Sequence, residues 1–193
     1  LLTEAKVAFE DADHVALEIP EADVTINGTY DIAIDGAVDD IKSASDWSYR
    51  NKFKSFASLK ESDSFGYVGQ LAGYAQASGL KAGGWWVINK ANGSFKYIPA
   101  NGLDMVEELY KIKKTALAVK SDKLERCFDA VDEVFNGKKT GNKILGSECS
   151  WCSYRHACWP TLKELPALKS RAKEPKTVSY VHIKEEDNDE RVS

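Results

Sequence analysis

Asp31, Asp40 and Lys42 stand around an Asp35-Gly36 dipeptide in the stretch GTYDIAIDGAVDDIKSAS, residues 28–45. Asp-Gly suits a type I′ turn, and as a two-residue connection it makes the flanking runs a β-hairpin. That register sets Ile34 against Ala37, Ala33 against Val38, Ile32 against Asp39 and Asp31 against Asp40. Because side chains alternate along a strand, Asp31, Ala33, Val38, Asp40 and Lys42 are expected on one face. Two carboxylates directly opposed repel each other. A divalent cation removes the conflict, since Mg²⁺ takes one or two carboxylates together with waters and phosphate oxygens. The backbone carbonyl of Ile41 is a further candidate ligand. Lys42 is then placed to polarise an attacking water or to stabilise charge building on phosphorus. The alternative is a solvated sheet face with an ordinary Asp–Lys pair.

A second constellation is Cys149-x2-Cys152-x5-Cys158. Closely spaced thiolates in a loop suit Zn²⁺ or an iron–sulfur cluster, and a cytosolic setting disfavours disulfides. The fourth ligand is Cys127 or His156. Cys127 also falls on the apolar face of an expected helix, so a buried structural thiol is the competing reading. A third group, Trp47, Tyr49, Arg50, Lys52 and Lys54, mixes cations with aromatic rings, which suits phosphate contact and base stacking on a single strand. An ordinary amphipathic loop accounts for it equally well. Trp85, Trp86 and Trp159 are expected in the core, Lys90 is a candidate phosphate contact, and Lys111, Lys113, Lys114, Lys120 and Lys123 read as a solvated helix face.

The elements that must position these groups form a mixed α/β chain with hairpins ahead of most helices. HVALEI and ADVTINGTYDIAID read as strands, with Asn27-Gly28 marking a bend or bulge. AVDDIKSAS is the return strand. The polar, basic run 46–64 reads as a loop with a short helix. FGYVGQLAGYAQASGL reads as a closely packed helix ending at Ser78-Gly79, and GGWWVINKANGSFKYIPA as a second hairpin turning at Asn92-Gly93. Leu103, Val106, Leu109, Ile112 and Leu117 predict one amphipathic helix; Leu124, Cys127, Phe128, Val131 and Val134 predict another. The remainder reads as loop, with one further strand in TVSYVHI and an acidic tail expected to be disordered.

At 193 residues the chain is long enough for a sizeable core. No apolar run is long enough to span a bilayer, and no secretory leader opens the sequence. It does not begin with Met, so upstream residues are expected. The net charge of −4 conceals segregation: residues 1–40 hold eleven acids and one base, and residues 185–193 hold five acids and one Arg. The stretch between them is therefore basic, and the acidic total does not exclude a polyanionic partner.

Gly28-Thr-Tyr-Asp31 followed by Asp40-Ile-Lys42-Ser43 resembles the GxxD…(D/E)xK signature of PD-(D/E)XK nucleases, in particular the RecB-like exonucleases. Gln70-Leu-Ala-Gly-Tyr74 is similar to the Q-x-x-x-Y helix of that branch. The likeness runs from about residue 28 to 160 and is nearest to phage-encoded members. It implies a restriction-endonuclease-like α/β core, a mixed central sheet flanked by helices, over residues 1–125. A small Cys-ligated segment at 126–183 packs on that core, and an acidic tail follows at 184–193. It implies Asp31, Asp40, Lys42 and Gln70 as catalytic residues and Asp31, Asp40 and Ile41 as ligands to Mg²⁺ or Mn²⁺. Tyr74, Ser43, Arg50 and Lys52 are the implied contacts to nucleic acid. Glu4, Glu10, His14 and Glu18 are candidates for the upstream ligand that many members carry. Some members hold a 4Fe–4S cluster whose last three cysteines share the x2, x5 spacing; in them the first cysteine precedes the core, whereas Cys127 follows it. Cys127, Cys149, Cys152 and Cys158 are the implied ligands here, with Zn²⁺ as the alternative. The expected protein is a cytoplasmic, metal-dependent DNA exonuclease of phage recombination or end processing, acting on DNA with a free end and with a single-strand-annealing protein as a possible partner. A catalytically inactive DNA-binding module and a zinc-stapled interaction protein are the competing functions.

Overall fold

The computed structural model describes residues 3, 4, 6–121 and 126–184. Leu124, Lys123 and the acidic tail lie outside them. The chain divides into two compact units, residues 1–123 and 124–193. No helix among the described residues is long and apolar enough to cross a membrane.

The first unit is built on a five-stranded sheet. Its strands are β1 (Phe9–Ile19), β2 (Val24–Ile34), β3 (Ala37–Ala44), β4 (Lys81–Asn89) and β5 (Phe95–Pro99), which lie in that order across the sheet. All neighbours are antiparallel except β3 and β4, which are parallel. A parallel pair needs a long crossover, and here it carries α1 (Asp46–Arg50), α2 (Phe56–Glu61) and α3 (Tyr67–Ser78). The run expected as a loop with one short helix thus holds two, α1 and α2. Each starts on a serine whose hydroxyl accepts an amide proton: Ser45 from Ser48, and Ser55 from Ser58.

The Asp35-Gly36 turn has both residues at positive φ, 50° and 73°, as a type I′ turn requires. The register at the turn follows: Ile34 faces Ala37, Ala33 faces Val38 and Ile32 faces Asp39. The β1–β2 ladder passes Asn27 and Gly28 without the register shift that a bulge would leave. Val38, Leu59, Leu71, Trp85 and Val87 are fully enclosed, and Phe56 stacks on Trp85 with ring centres 5.8 Å apart. Trp85 and Trp159 are core residues, while Trp86 is half-buried.

The helix α4 (Met105–Lys120) is capped by Asp104, whose carboxylate accepts the Glu107 amide. Its inward face differs from the expected one. Glu108 and Ala116 are buried with Ile112 between them, whereas Val106 is 80% exposed. The positions 103, 106, 109 and 112 repeat every three residues, and on a helix of 3.6 residues per turn such a series drifts around the axis.

The second unit corrects the reading of residues 124–134 as a helix. Residues 131–135 form a strand, β6 (Val131–Phe135), which pairs antiparallel with β7 (Lys138–Ile144). The hairpin turns on Asn136 and Gly137 at φ 51° and 75°, an Asn-Gly turn whose signal outranks the apolar spacing. Two further strands, β8 (Lys163–Pro166) and β9 (Thr177–His182), complete an antiparallel sheet ordered β6-β7-β9-β8. Short helices α5 (Ser147–Ser150) and α6 (Arg155–Cys158) lie between β7 and β8. The sheet encloses a polar centre: Glu133 accepts hydrogen bonds from Tyr180 at 2.7 Å, Thr140 at 2.7 Å and Asn142 at 2.8 Å. A buried carboxylate satisfied in this way avoids the desolvation cost that an unpaired one carries.

Candidate active site

The strand β3, which carries the candidate residues Asp40 and Lys42, lies in the middle of the sheet between β2 and β4. Asp40 is 3% exposed beside Trp85 of β4. Two positions on, Lys42 places its ammonium 2.6 Å from Asp40 Oδ2. That oxygen receives the charge of Lys42 but no well-directed hydrogen bond. Asp31 lies past the last ladder pair of β2 and β3, and its carboxylate accepts the amide proton of Ile41 at 2.6 Å. Asp31 and Asp40 are therefore brought together, though by a side-chain contact and not as a ladder pair. Ile41 meets Asp31 through its amide, and its side chain is 44% exposed.

Burial raises the Asp40 carboxyl to about 6; Lys42 pulls it back and the neighbouring Asp31 pushes it further up. A carboxyl pushed up by burial and a like charge is one whose ionised form needs a counter-cation. Perturbed acids of this kind gather at functional sites.

The helix α3 completes the arrangement. Lys42 donates to Gln70 Oε1 at 3.0 Å, and Gln70 Nε2 donates to the Tyr74 hydroxyl at 2.9 Å. Residues 70 and 74 share a helix face, so one side of α3 presents both. The Tyr74 ring packs on Gly28, where an added Cβ would stand 2.7 Å from a ring carbon. The glycine of the GxxD run thus admits a tyrosine against the strand. Gly28, Gln70 and Tyr74 also border an apolar groove of about 780 Å³ lined by Leu17, Ile112 and Val119.

The other expected contacts are scattered. Ser43 is exposed at the end of β3. Arg50 is exposed and tied to Asp46 on its own helix at 2.9 Å. Lys52 sits over the Tyr67 ring at 4.6 Å. Trp47 is 70% exposed. Among the upstream acids and His14, Glu10 lies opposite Ala33 and His14 opposite Thr29, to whose hydroxyl His14 Nδ1 is hydrogen-bonded at 2.7 Å. Among the described residues no three His, Cys, Asp or Glu side chains gather in metal-binding geometry. A hard cation held by two carboxylates, waters and substrate oxygens does not need a third.

Sequence reasoning passed over Asp39. Its side chain is buried on the reverse of β3, where it accepts from Trp86 Nε1 at 3.1 Å and from the Tyr97 hydroxyl at 3.0 Å. Burial raises its pKa, and those two donors with the Gly84 amide pull it back. The signal was the Gly83-Gly84 pair: a Cβ on Gly83 would stand 2.1 Å from Asp39 Oδ1.

In the second unit all four cysteines are free thiols. Burial raises the Cys149 thiol, and Cys152, Cys158, Glu148 and Cys127 raise it further; among the described residues the cysteines are not gathered in metal-binding geometry. Arg126, next to Cys127, donates to the Cys158 carbonyl at 2.9 Å and lies 3.9 Å over the Trp159 ring. Cys127 is exposed and on no helix, which removes the buried-thiol reading. His156 is exposed, 3.9 Å from Glu164. No family model matches this chain, and no curated protein is significantly similar to it in sequence.

Proposed function

We propose that this chain is a divalent-metal-dependent deoxyribonuclease that hydrolyses phosphodiester bonds, with the first unit as its catalytic, restriction-endonuclease-like core. The observation that carries the reading is the buried Asp40 carboxylate, whose Oδ2 is incompletely satisfied, with the Lys42 ammonium 2.6 Å from it, Asp31 held on the adjoining Ile41 amide and Gln70 of α3 holding Lys42. Asp31 and Asp40, with the Ile41 carbonyl, suit Mg²⁺ or Mn²⁺ in donor type, being hard oxygens. Such an ion, when bound, supplies Lewis-acid polarisation of the scissile phosphate.

The chain's own residues do the rest. Burial makes the Asp40 carboxyl hold its proton up to about pH 6, and a cation beside it favours the ionised form that the reaction centre uses. Lys42 lies near enough to stabilise negative charge on phosphorus or to orient the water that attacks it. Gln70 fixes the Lys42 ammonium through its oxygen and is itself fixed by Tyr74. Lys42 is thus held in one rotamer before substrate arrives, and preorganisation of this kind lowers the reorganisation needed during the reaction.

Attack on a terminal phosphodiester, exonuclease action in phage recombination or end processing, fits the resemblance in β2, β3 and α3. A single-strand-annealing protein is the partner that such a role would have. In the second unit, Cys127, Cys149, Cys152 and Cys158 suit an iron–sulfur cluster or Zn²⁺ by donor chemistry, since thiolates ligate both and none of the four is in a disulfide. The deciding experiment is digestion of end-labelled single- and double-stranded DNA with Mg²⁺ or Mn²⁺. The native chain is expected to cleave and Lys42→Ala to be inert. Full activity in Lys42→Ala, or none in the native chain, overturns the assignment.

A further inference from the structure

One exposed aromatic side chain near the Asp40–Lys42 pair has no role in the site so far. Phe65 is 67% exposed in the short loop that leads into α3. The loop is held at its downstream end. Asp63 accepts the amide protons of Tyr67 at 2.9 Å and Val68 at 2.8 Å, which binds it to the first turn of the helix. Gly66 takes a φ of 76° between them. The chain reverses there, and the Phe65 ring is presented outward.

Around that ring the structure arranges a ladder of cations and aromatics. The Lys52 ammonium lies 5.4 Å from the centre of Phe65, 4.6 Å from Tyr67 and 6.0 Å from Phe53. Phe65 and Tyr67 have centres 6.2 Å apart with planes inclined by 31°. On the Tyr67 ring a second ammonium, that of Lys42, stands at 4.9 Å, the same group that pairs with Asp40. Lys42 and Lys52 therefore flank one tyrosine ring, and Phe65 lies on the Lys52 side of it. From the buried carboxylate outward the order is Asp40, Lys42, Tyr67, Lys52, Phe65.

An exposed ring with an ammonium beside it, and a second ammonium beyond the adjoining tyrosine, suits a partner that is both flat and polyanionic. A nucleic-acid strand provides both parts: every base has a π-face, and every linkage a phosphate. We propose that Phe65 is a stacking platform for one unpaired base of the substrate strand, with Lys52 receiving the phosphate beside that base. Its neighbour along the strand then reaches Lys42 and Asp40. This rests on the nuclease reading and extends it, by naming an unpaired terminal or near-terminal base as a determinant of substrate choice. A duplex with flush ends presents no such base until it frays, so the platform favours single-stranded ends or overhangs. Stacking tolerates any base, and the preference is for strand state and not for sequence.

The test uses the full chain with Ca²⁺ in place of Mg²⁺, and fluorescence anisotropy of an end-labelled single strand. A companion strand carries abasic residues in place of its terminal bases. Phe65→Ala is expected to weaken binding of the normal strand about tenfold, to leave binding of the abasic strand unchanged, and to be rescued by Phe65→Trp. Phe65 is exposed, so thermal midpoints of the three proteins should agree, which separates lost stacking from lost fold. Equal binding of the normal strand by native and Phe65→Ala protein overturns the platform, and so does an equal loss on both strands. Cleavage in Mg²⁺ is read in parallel. Native protein that cleaves while Phe65→Ala binds normally removes the platform and leaves the nuclease. Native protein that binds through Phe65 but never cleaves keeps the platform and removes the catalytic reading. Native protein that neither binds nor cleaves removes both.

Discussion

Asp40 is asked to be buried, to stand beside Asp31 and to carry charge, and these demands conflict. The conflict is measurable in the metal-free protein. Folding raises its pKa from the ordinary 3.8 to about 6, so between those values the folded chain holds a proton that the unfolded chain has released. Its contribution to stability therefore falls as pH rises from about 4 to about 6 and is level above that. Asp39, also raised by burial, contributes a slope of the same sign. Glu21, Asp46, Glu107 and Asp132, lowered by their partners, contribute slopes of the opposite sign. The Asp40 share is therefore read as a difference: in urea unfolding of metal-free protein at pH 4 and pH 7, the native chain should lose more, or gain less, stability than Asp40→Asn. Mg²⁺ at pH 7 should raise the unfolding midpoint of the native chain and not that of Asp40→Asn. Identical pH slopes in the two proteins would remove the burial argument. An identical response to Mg²⁺ would remove Asp40 as a ligand.

At the scale of elements, the packing of α3 on β2 decides whether Gln70 reaches Lys42. Gly28→Ala sets a methyl 2.7 Å from the Tyr74 ring, an overpacking that costs about 1–3 kcal/mol. Its larger effect should be on cleavage, because Tyr74 moves Gln70 and Gln70 orients Lys42. Native-like cleavage in a folded Gly28→Ala would show that the chain from Tyr74 to Lys42 is not needed. The elements differ in how far their residues announced them. Asp35-Gly36 stated the hairpin and its register, because two consecutive positive-φ positions admit few residue types. Gln70 and Tyr74 stated their shared face by spacing alone. The inward face of α4 was misread from a period-three series, and β6 from apolar spacing that Asn136-Gly137 should have overruled. Asp39 is hard to read because its partners Trp86 and Tyr97 come from strands more than forty residues later in the chain, and the Gly83-Gly84 pair is the one local sign of it. Phe65 is hard to read for a related reason: its cationic neighbour Lys52 lies thirteen residues earlier in the chain and meets it only in the folded protein.

At the scale of the molecule, the proposed reading gives the two units separate chemistries, which should be open to separate disabling. Cys149→Ser should abolish binding of iron or zinc to the second unit, read by metal analysis and by loss of any absorption band in the near-ultraviolet and visible. It should also lower the stability of residues 126–184 toward proteolysis, as loss of a structural metal generally does. Retention of a full metal complement in Cys149→Ser would exclude that cysteine as a ligand. The mixed sheet of the first unit has a bearing on synthesis. Strands β1 to β3 pair through neighbouring hairpins, whereas the parallel pairing of β3 with β4 joins residues about forty apart, and closing so long an interval is slow beside forming a hairpin. A nascent chain that has exposed only its first three strands already contains both aspartates and Lys42 but lacks the strand that encloses Asp40 and the helix that steadies the lysine. If the proposed nuclease reading holds, competence to cut is withheld from the half-made polypeptide, and a cell building this protein is spared a premature hydrolase at the ribosome exit.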